Sequence, residues 1–140
     1  MPGVELVSSS DALIADADHL VLALPLTEAT RHIVDASLLA KAKPGLHVVN
    51  VARGGLVDHE ALRDALDDGR VSLASLDCVE PEPLPAGHWL FQHPKVRLSA
   101  HISWSGPGAL EELIEPFVEN LGRFRRGESL AGLVDRDQGY

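Results

Sequence analysis

Short apolar runs alternate with stretches of helical periodicity along this chain. Residues 20–24, Leu-Val-Leu-Ala-Leu, are apolar without a break, as in a parallel strand covered on both faces, and Pro25 ends them. They predict a buried strand over 19–24. Before it, the pattern predicts a short strand over 4–7. A helix follows, capped by Ser10 and running through Asp16, with Ala12, Leu13 and Ala15 as its apolar positions. After it, Asp35 opens a short helix through Lys41, and Lys43-Pro44-Gly45 turns the chain into a strand over 46–50. Residues 56–68 read as an amphipathic helix: Asp58 caps it, Ala61, Leu62, Ala65 and Leu66 form its stripe, and Gly69 stops it. A strand over 72–76, a Pro-containing loop over 77–93 and a short strand over 96–99 come next. A helix from near Gly108 to Arg126 closes the pattern, with Pro116 expected to kink or divide it.

Strand, helix, strand repeated in this way predicts an α/β fold with a doubly wound parallel sheet and right-handed crossovers. Such sheets bind ligands outside the carboxyl ends of their strands. The conspicuous polar residues fall at those ends: residues 50–55 after one strand, 77–82 after the next, and His101 after the last. Three loops are therefore expected to converge on one edge.

Composition narrows the function classes. A chain of 140 residues that is 45% apolar and 24% charged suits one soluble globular core. Its longest apolar run, 20–25, is far too short to span a bilayer, so no membrane role is expected. Met1-Pro2-Gly3-Val4-Glu5 lacks a signal-peptide pattern, and the single Cys78 cannot form an internal disulfide, which together point to the cytoplasm. A formal charge of −9 opposes nucleic-acid binding. The one basic cluster, Arg123, Arg125 and Arg126, sits where a helix C-terminus favours cations anyway. Among the seven histidines, His59-Glu60 has no second His at helical spacing, and His88 and His93 lie in the Pro-rich loop, so no metal site is expected.

The three loops carry candidate chemistry. Arg53 leaves a strand end next to Gly54 and Gly55, and its fork of donors matches a carboxylate. From this loop alone, a surface Arg paired with an acidic neighbour accounts for it equally well. Asp77 and Glu82 frame Asp77-Cys78-Val79-Glu80-Pro81-Glu82-Pro83, and His101 follows the last strand. A His with a carboxylate partner is a general acid/base unit, because the carboxylate fixes the tautomer and favours the protonated ring. An Arg to hold an acid, a His to move a proton and a Glu to tune the His suit carbonyl–alcohol interconversion on a small acid. A lone loop His and a merely solvated acidic loop remain the alternatives.

The strings LVLALPLTEATRHIVD, HVVNVARGGLVDHEAL, SLDCVEPEPLP and HPKVRLSAHISW resemble four successive signature regions of the D-isomer-specific 2-hydroxyacid dehydrogenases, in family order. The resemblance runs from about Gly3 to Tyr140. It implies the second half of a Rossmann-type NAD(P)-binding domain, an oxidoreductase activity with NAD or NADP, and a small 2-keto/2-hydroxy acid substrate. It also implies Arg53 as the substrate-carboxylate Arg, His101 as the acid/base and Glu82 as its partner, with Glu80 a nearby non-catalytic carboxylate. Asp77 would hold the nicotinamide carboxamide, and Leu24, Pro25, Val51, Ala52, Ser103 and Trp104 would border the cofactor.

Two features depart from the family pattern. Trp104 stands where many relatives carry a small residue, which bears on the width of the substrate pocket. No G-x-G-x-x-G occurs: Gly106-Pro107-Gly108 is followed by Glu111 where the third Gly would stand. The partial domain is thus expected to lack the phosphate turn and a separate substrate domain, and to bind NAD weakly by itself. A piece of a longer enzyme accounts for the joint presence of Arg, Glu and His better than a shortened relative. The competing class is a non-enzymatic self-association or interaction module built on the same half-sheet. Either way, an exposed sheet edge favours a homo-oligomer.

Overall fold

The computed structural model describes residues 3–137, and the chain forms two compact units, Met1–His101 and Ile102–Tyr140. In the first, β1 (His19–Leu22), β2 (Leu46–Asn50), β3 (Val71–Leu76) and β4 (Val96–Leu98) form one parallel sheet in the order β1-β2-β3-β4. Leu22 pairs with Asn50, Asn50 with Leu76, and Leu76 with Leu98, so the four carboxyl ends stand in a row.

Because each connection steps to the next strand in the same direction, right-handed crossovers put the helices on one face of the sheet. Three helices precede or separate these strands: α1 (Ser10–Asp16), α2 (Ala36–Leu39) and α3 (His59–Asp67). Their buried Ile14, Leu38, Leu39, Leu62 and Leu66 join Leu20, Leu22, Leu46, Val48, Val71 and Leu76 in a single core. The expectation that β1 is covered on both faces is therefore corrected: Leu20 and Leu22 are buried but Val21 is 57% exposed. On that open face His19 Nδ1 and His47 Nδ1 lie 3.2 Å apart, and His47 Nε2 lies 2.9 Å from Ser75 Oγ.

Several boundaries move for local reasons. Residues 4–7 form no strand: they pair with no strand among the described residues, and Val4, Leu6 and Val7 are exposed. Ser9, not Ser10, caps α1 by accepting from the Ala12 amide, and Ile14 rather than Leu13 is its buried residue. β1 ends at Leu22, two residues before the expected end. The expected helix over 56–68 starts as a 3-10 turn at Gly54–Leu56, and α3 proper begins only after Asp58, which accepts from the Glu60 and Ala61 amides. Its stripe is as expected: Ala61, Leu62, Ala65 and Leu66 are all buried. Gly69, at φ +87°, occupies the left-handed region that stops such helices. Trp89–Phe91 adds a 3-10 turn within the Pro-rich loop.

In the second unit α4 (Ala109–Arg126) passes through Pro116 without dividing, since one missing amide removes one hydrogen bond while its neighbours persist. Gly127, at φ +70°, caps it by donating to the Phe124 carbonyl. Asn120 holds the following segment, its amide donating to the Ala131 carbonyl at 3.0 Å and its Oδ1 accepting from the Ala131 amide at 2.8 Å. No residue of α4 is buried, and Leu110, Leu113, Ile114, Phe117, Leu121 and Phe124 form an exposed apolar stripe at helical spacing.

Candidate active site

The site grows from the row of strand ends. Asn50 closes β2 fully buried, and its side chain ties the turn that follows: Nδ2 donates to the Arg53 carbonyl at 2.8 Å, and Oδ1 accepts from the Ala52 amide at 3.1 Å. This tie fixes the backbone from which Arg53 projects. The guanidinium is exposed, with Nη1 donating to the Ala52 carbonyl at 2.7 Å. Of the carboxylates on the neighbouring 77–83 loop, Glu80 pairs with Arg31 and Glu82 contacts His101.

The same Ala52 oxygen accepts from Cys78 Sγ at 3.2 Å, which seats the 77–83 loop beside the Arg53 turn. Gly54 permits this approach: a Cβ there would lie 2.0 Å from the Val79 carbonyl carbon. Asp77 is buried at the end of β3, where its amide donates to the Asn50 carbonyl and Ser99 Oγ donates to its Oδ1 at 2.5 Å.

His101 is joined to this loop twice. Its amide donates to the Asp77 carbonyl at 3.0 Å, and its Nδ1 lies 3.0 Å from Glu82 Oε1. Its φ of +54° places it in the left-handed region, which a non-glycine residue occupies at a cost of about 1–3 kcal/mol when neighbouring contacts hold it there. Arg53, the 77–83 loop, Glu82 and His101 thus form one connected cluster at the carboxyl edge of the sheet. His101 and Glu82 remain 37% and 42% exposed, so a ligand can reach the imidazole.

Electrostatics divide the roles. Burial pushes the Cys78 thiol pKa up, and the Asp77 and Glu82 carboxylates push it further the same way, with Arg53 opposing. Cys78 is consequently a packing residue rather than a nucleophile. An imidazole held at Nδ1 by a carboxylate has its other nitrogen available to move a proton, and an exposed guanidinium close by can grip an anion. A cavity of about 470 Å³ adjoins the cluster, lined in part by Asp77, Glu82, Leu84, Phe91, Leu98 and Ser99.

The remaining expected positions fall in two places. Leu24 is half-buried and Pro25 exposed just beyond β1, where Thr30 Oγ1 donates to the Pro25 carbonyl at 2.8 Å. Val51 is 40% exposed and Ala52 half-buried just beyond β2. Ser103 and Trp104 belong to the second unit, where Trp104 is 63% exposed. Sequence reasoning placed Asn50 in the polar 50–55 stretch but gave it no role, and it missed Ser99 and the ion pair of Arg31 with Glu80. A polar residue ending an otherwise apolar strand was the available signal for Asn50; the other two become visible only through contacts between distant segments.

This chain belongs to the family described as "D-isomer specific 2-hydroxyacid dehydrogenase, NAD binding domain", which matches residues 2–103. The glyoxylate reductase of Thermococcus onnurineus is 39% identical over 127 residues, covering 91% of this chain and 38% of that protein. A solved D-isomer specific 2-hydroxyacid dehydrogenase from Xanthobacter autotrophicus Py2, in complex with NADPH and MES, is 37% identical with a TM-score of 0.82. That match covers 93% of this chain and 53% of the other. The NADPH-dependent glyoxylate/hydroxypyruvate reductase of Sinorhizobium meliloti, solved with NADP and sulfate, is 32% identical with a TM-score of 0.85, covering 94% and 42% of the respective chains. The chain spans about two fifths of the length of such curated relatives. Among the described residues, no helix is long and apolar enough to cross a membrane.

Proposed function

We propose that this chain is the catalytic half of the nucleotide-binding domain of a D-2-hydroxyacid dehydrogenase acting on a small 2-keto/2-hydroxy acid with NAD or NADP. The observation that carries the reading is the 3.0 Å contact of Glu82 with His101, in one cluster with the exposed Arg53. Arg53 grips the substrate carboxylate, using the two-point fit of a guanidinium to a carboxylate. Glu82 holds Nδ1 of His101, so that Nε2 faces the substrate and donates a proton to the keto oxygen. The buried carboxylate of Asp77, already oriented by Ser99, suits a carboxamide donor. Leu24, Pro25, Val51, Ala52, Ser103 and Trp104 would border the cofactor, whose nicotinamide, when bound, supplies the hydride. The residues present fit the nicotinamide end only, since no G-x-G-x-x-G turn is among them to neutralise a pyrophosphate. Weak cofactor binding by this chain alone follows. A cytoplasmic location and a homo-oligomeric state complete the reading, with neither a membrane nor a nucleic acid as partner.

Turnover of glyoxylate, hydroxypyruvate and pyruvate with NADH and NADPH tests it, on this chain and on a longer form that carries the Gly-rich turn. The chain alone should stay below about 1 per second. The longer form should turn over at least one acid, and His101→Ala should lower its rate by about two to four powers of ten. A longer form inactive on all three acids, or indifferent to His101→Ala, overturns the proposal. The exposed apolar stripe of α4 favours a second reading, a self-association module without catalysis, which that inactive outcome would support.

A further inference from the structure

The ion pair of Arg31 with Glu80 has no part in the chemistry above, yet it stands where the two loops of the site meet. Arg31 Nη1 lies 2.9 Å from Glu80 Oε2 and 3.2 Å from Oε1, and His32 Nε2 lies 4.0 Å from the same Oε2. We propose that Arg31 and Glu80 are positioning residues, clamping the 77–83 loop onto the 53–57 turn so that Glu82 stays in contact with His101. The inference rests on the catalytic reading of Arg53, Glu82 and His101.

Three segments distant in sequence come together here. Residues 32–34 run alongside the turn: the His32 amide donates to the Gly55 carbonyl at 2.8 Å, and the Val34 amide to the Leu56 carbonyl at 3.0 Å. Asp58 returns a bond to the Val34 carbonyl, and Val34 bridges to Val57. Arg31 is thereby held to the Arg53 turn through backbone. The opposite side of the turn meets the loop, with Gly54 against Val79. A Cβ on Gly55 would lie 2.9 Å from Glu80 Oε2 and 3.1 Å from Arg31 Nη1, so the ion pair lies directly over the Gly55 backbone.

The loop depends on such side-chain ties, because Pro81 and Pro83 have no amide to donate. Only Pro81 separates Glu80 from Glu82. A loop displacement of about an ångström would therefore carry Glu82 out of hydrogen-bond range of His101. Arg31 and Glu80 are themselves 45% and 44% exposed, and an exposed pair contributes little to global stability. Its effect falls on where the loop sits.

Two measurements test the clamp. In the longer, active form, Arg31→Gln should lower kcat by about fivefold, roughly the full worth of an exposed pair, and leave KM nearly unchanged because Arg53 is held by Asn50. Arg31→Lys should restore most of the rate, since a single nitrogen makes both contacts and an ammonium can replace it. In this chain, deuterium uptake across residues 77–84 should rise in Arg31→Gln, fall back in Arg31→Lys, and leave the urea midpoint in place. Unchanged uptake, an unchanged kcat, or a lysine variant as impaired as the glutamine one overturns the clamp. Should the longer form show no turnover at all, the catalytic reading falls separately, and the exchange data still decide whether Arg31 holds the loop.

Discussion

Replacing Gly54 by Ala probes the contact that brings the two site loops together. The added Cβ would lie 2.0 Å from the Val79 carbonyl carbon, 2.2 Å from its oxygen and 2.6 Å from the Glu80 nitrogen. All three are backbone atoms, so no side chain can swing aside. Relief requires the loop or the turn to move by about 1.4 Å, the shortfall from ordinary van der Waals contact. Overpacking of this kind costs about 1–3 kcal/mol, and the rigid neighbours place Gly54→Ala near 3. For a chain of this size that corresponds to a fall in Tm of roughly 6–12 °C. Gly69→Ala supplies the contrast. Its Cβ meets nothing within 4 Å, and its φ of +87° makes the cost purely conformational, about 1–2 kcal/mol. Urea denaturation of both variants gives the energies, and deuterium uptake at residues 77–84 locates the damage. Gly54→Ala should raise uptake there below the unfolding transition, whereas Gly69→Ala should not. A Gly54→Ala protein as stable as the parent, with unchanged uptake in the loop, would refute the close approach of turn and loop.

Acid should weaken the fold through His59 and His47. Burial holds the His59 pKa below its ordinary 6.5, with His88 adding to the effect, and its Nε2 has no hydrogen-bond partner among the described residues. Burial and His19 lower His47 likewise. Both native pKa values lie below the unfolded ones, so the stability they contribute is complete above about pH 6.5 and is lost as pH falls below it. Urea midpoints should drop between pH 7.5 and 5, and His59→Phe should flatten that slope; an unaltered slope counts against the assignment. The apolar stripe of α4 should drive self-association, so sedimentation at rising concentration should show species above 15.0 kDa, and Phe117→Glu with Phe124→Glu should suppress them. A monodisperse 15.0 kDa species at every concentration would contradict this.

Features that depend on neighbours a few residues apart can be read directly from the chain. The Asp58 cap, the Ala61, Leu62, Ala65 and Leu66 stripe and the Gly69 stop are legible because helix periodicity and capping act within one or two turns. The strand at Leu46–Asn50 falls where its apolar run predicts, and the placing of Arg53, Glu82 and His101 at strand ends follows from the order of elements. Other features arise from contacts between segments remote in the chain. An apolar run such as residues 20–24 does not tell whether one face or two will be covered; the strand order does, and it leaves Val21 exposed. Residues 4–7 have strand-like composition but no strand beside them, and a strand forms only where a partner accepts its backbone bonds. The left-handed backbone of His101 and the Arg31–Glu80 pair join positions that are remote in sequence. Their geometry is set by the register of neighbouring strands and the close passage of loop over turn, which no local pattern encodes.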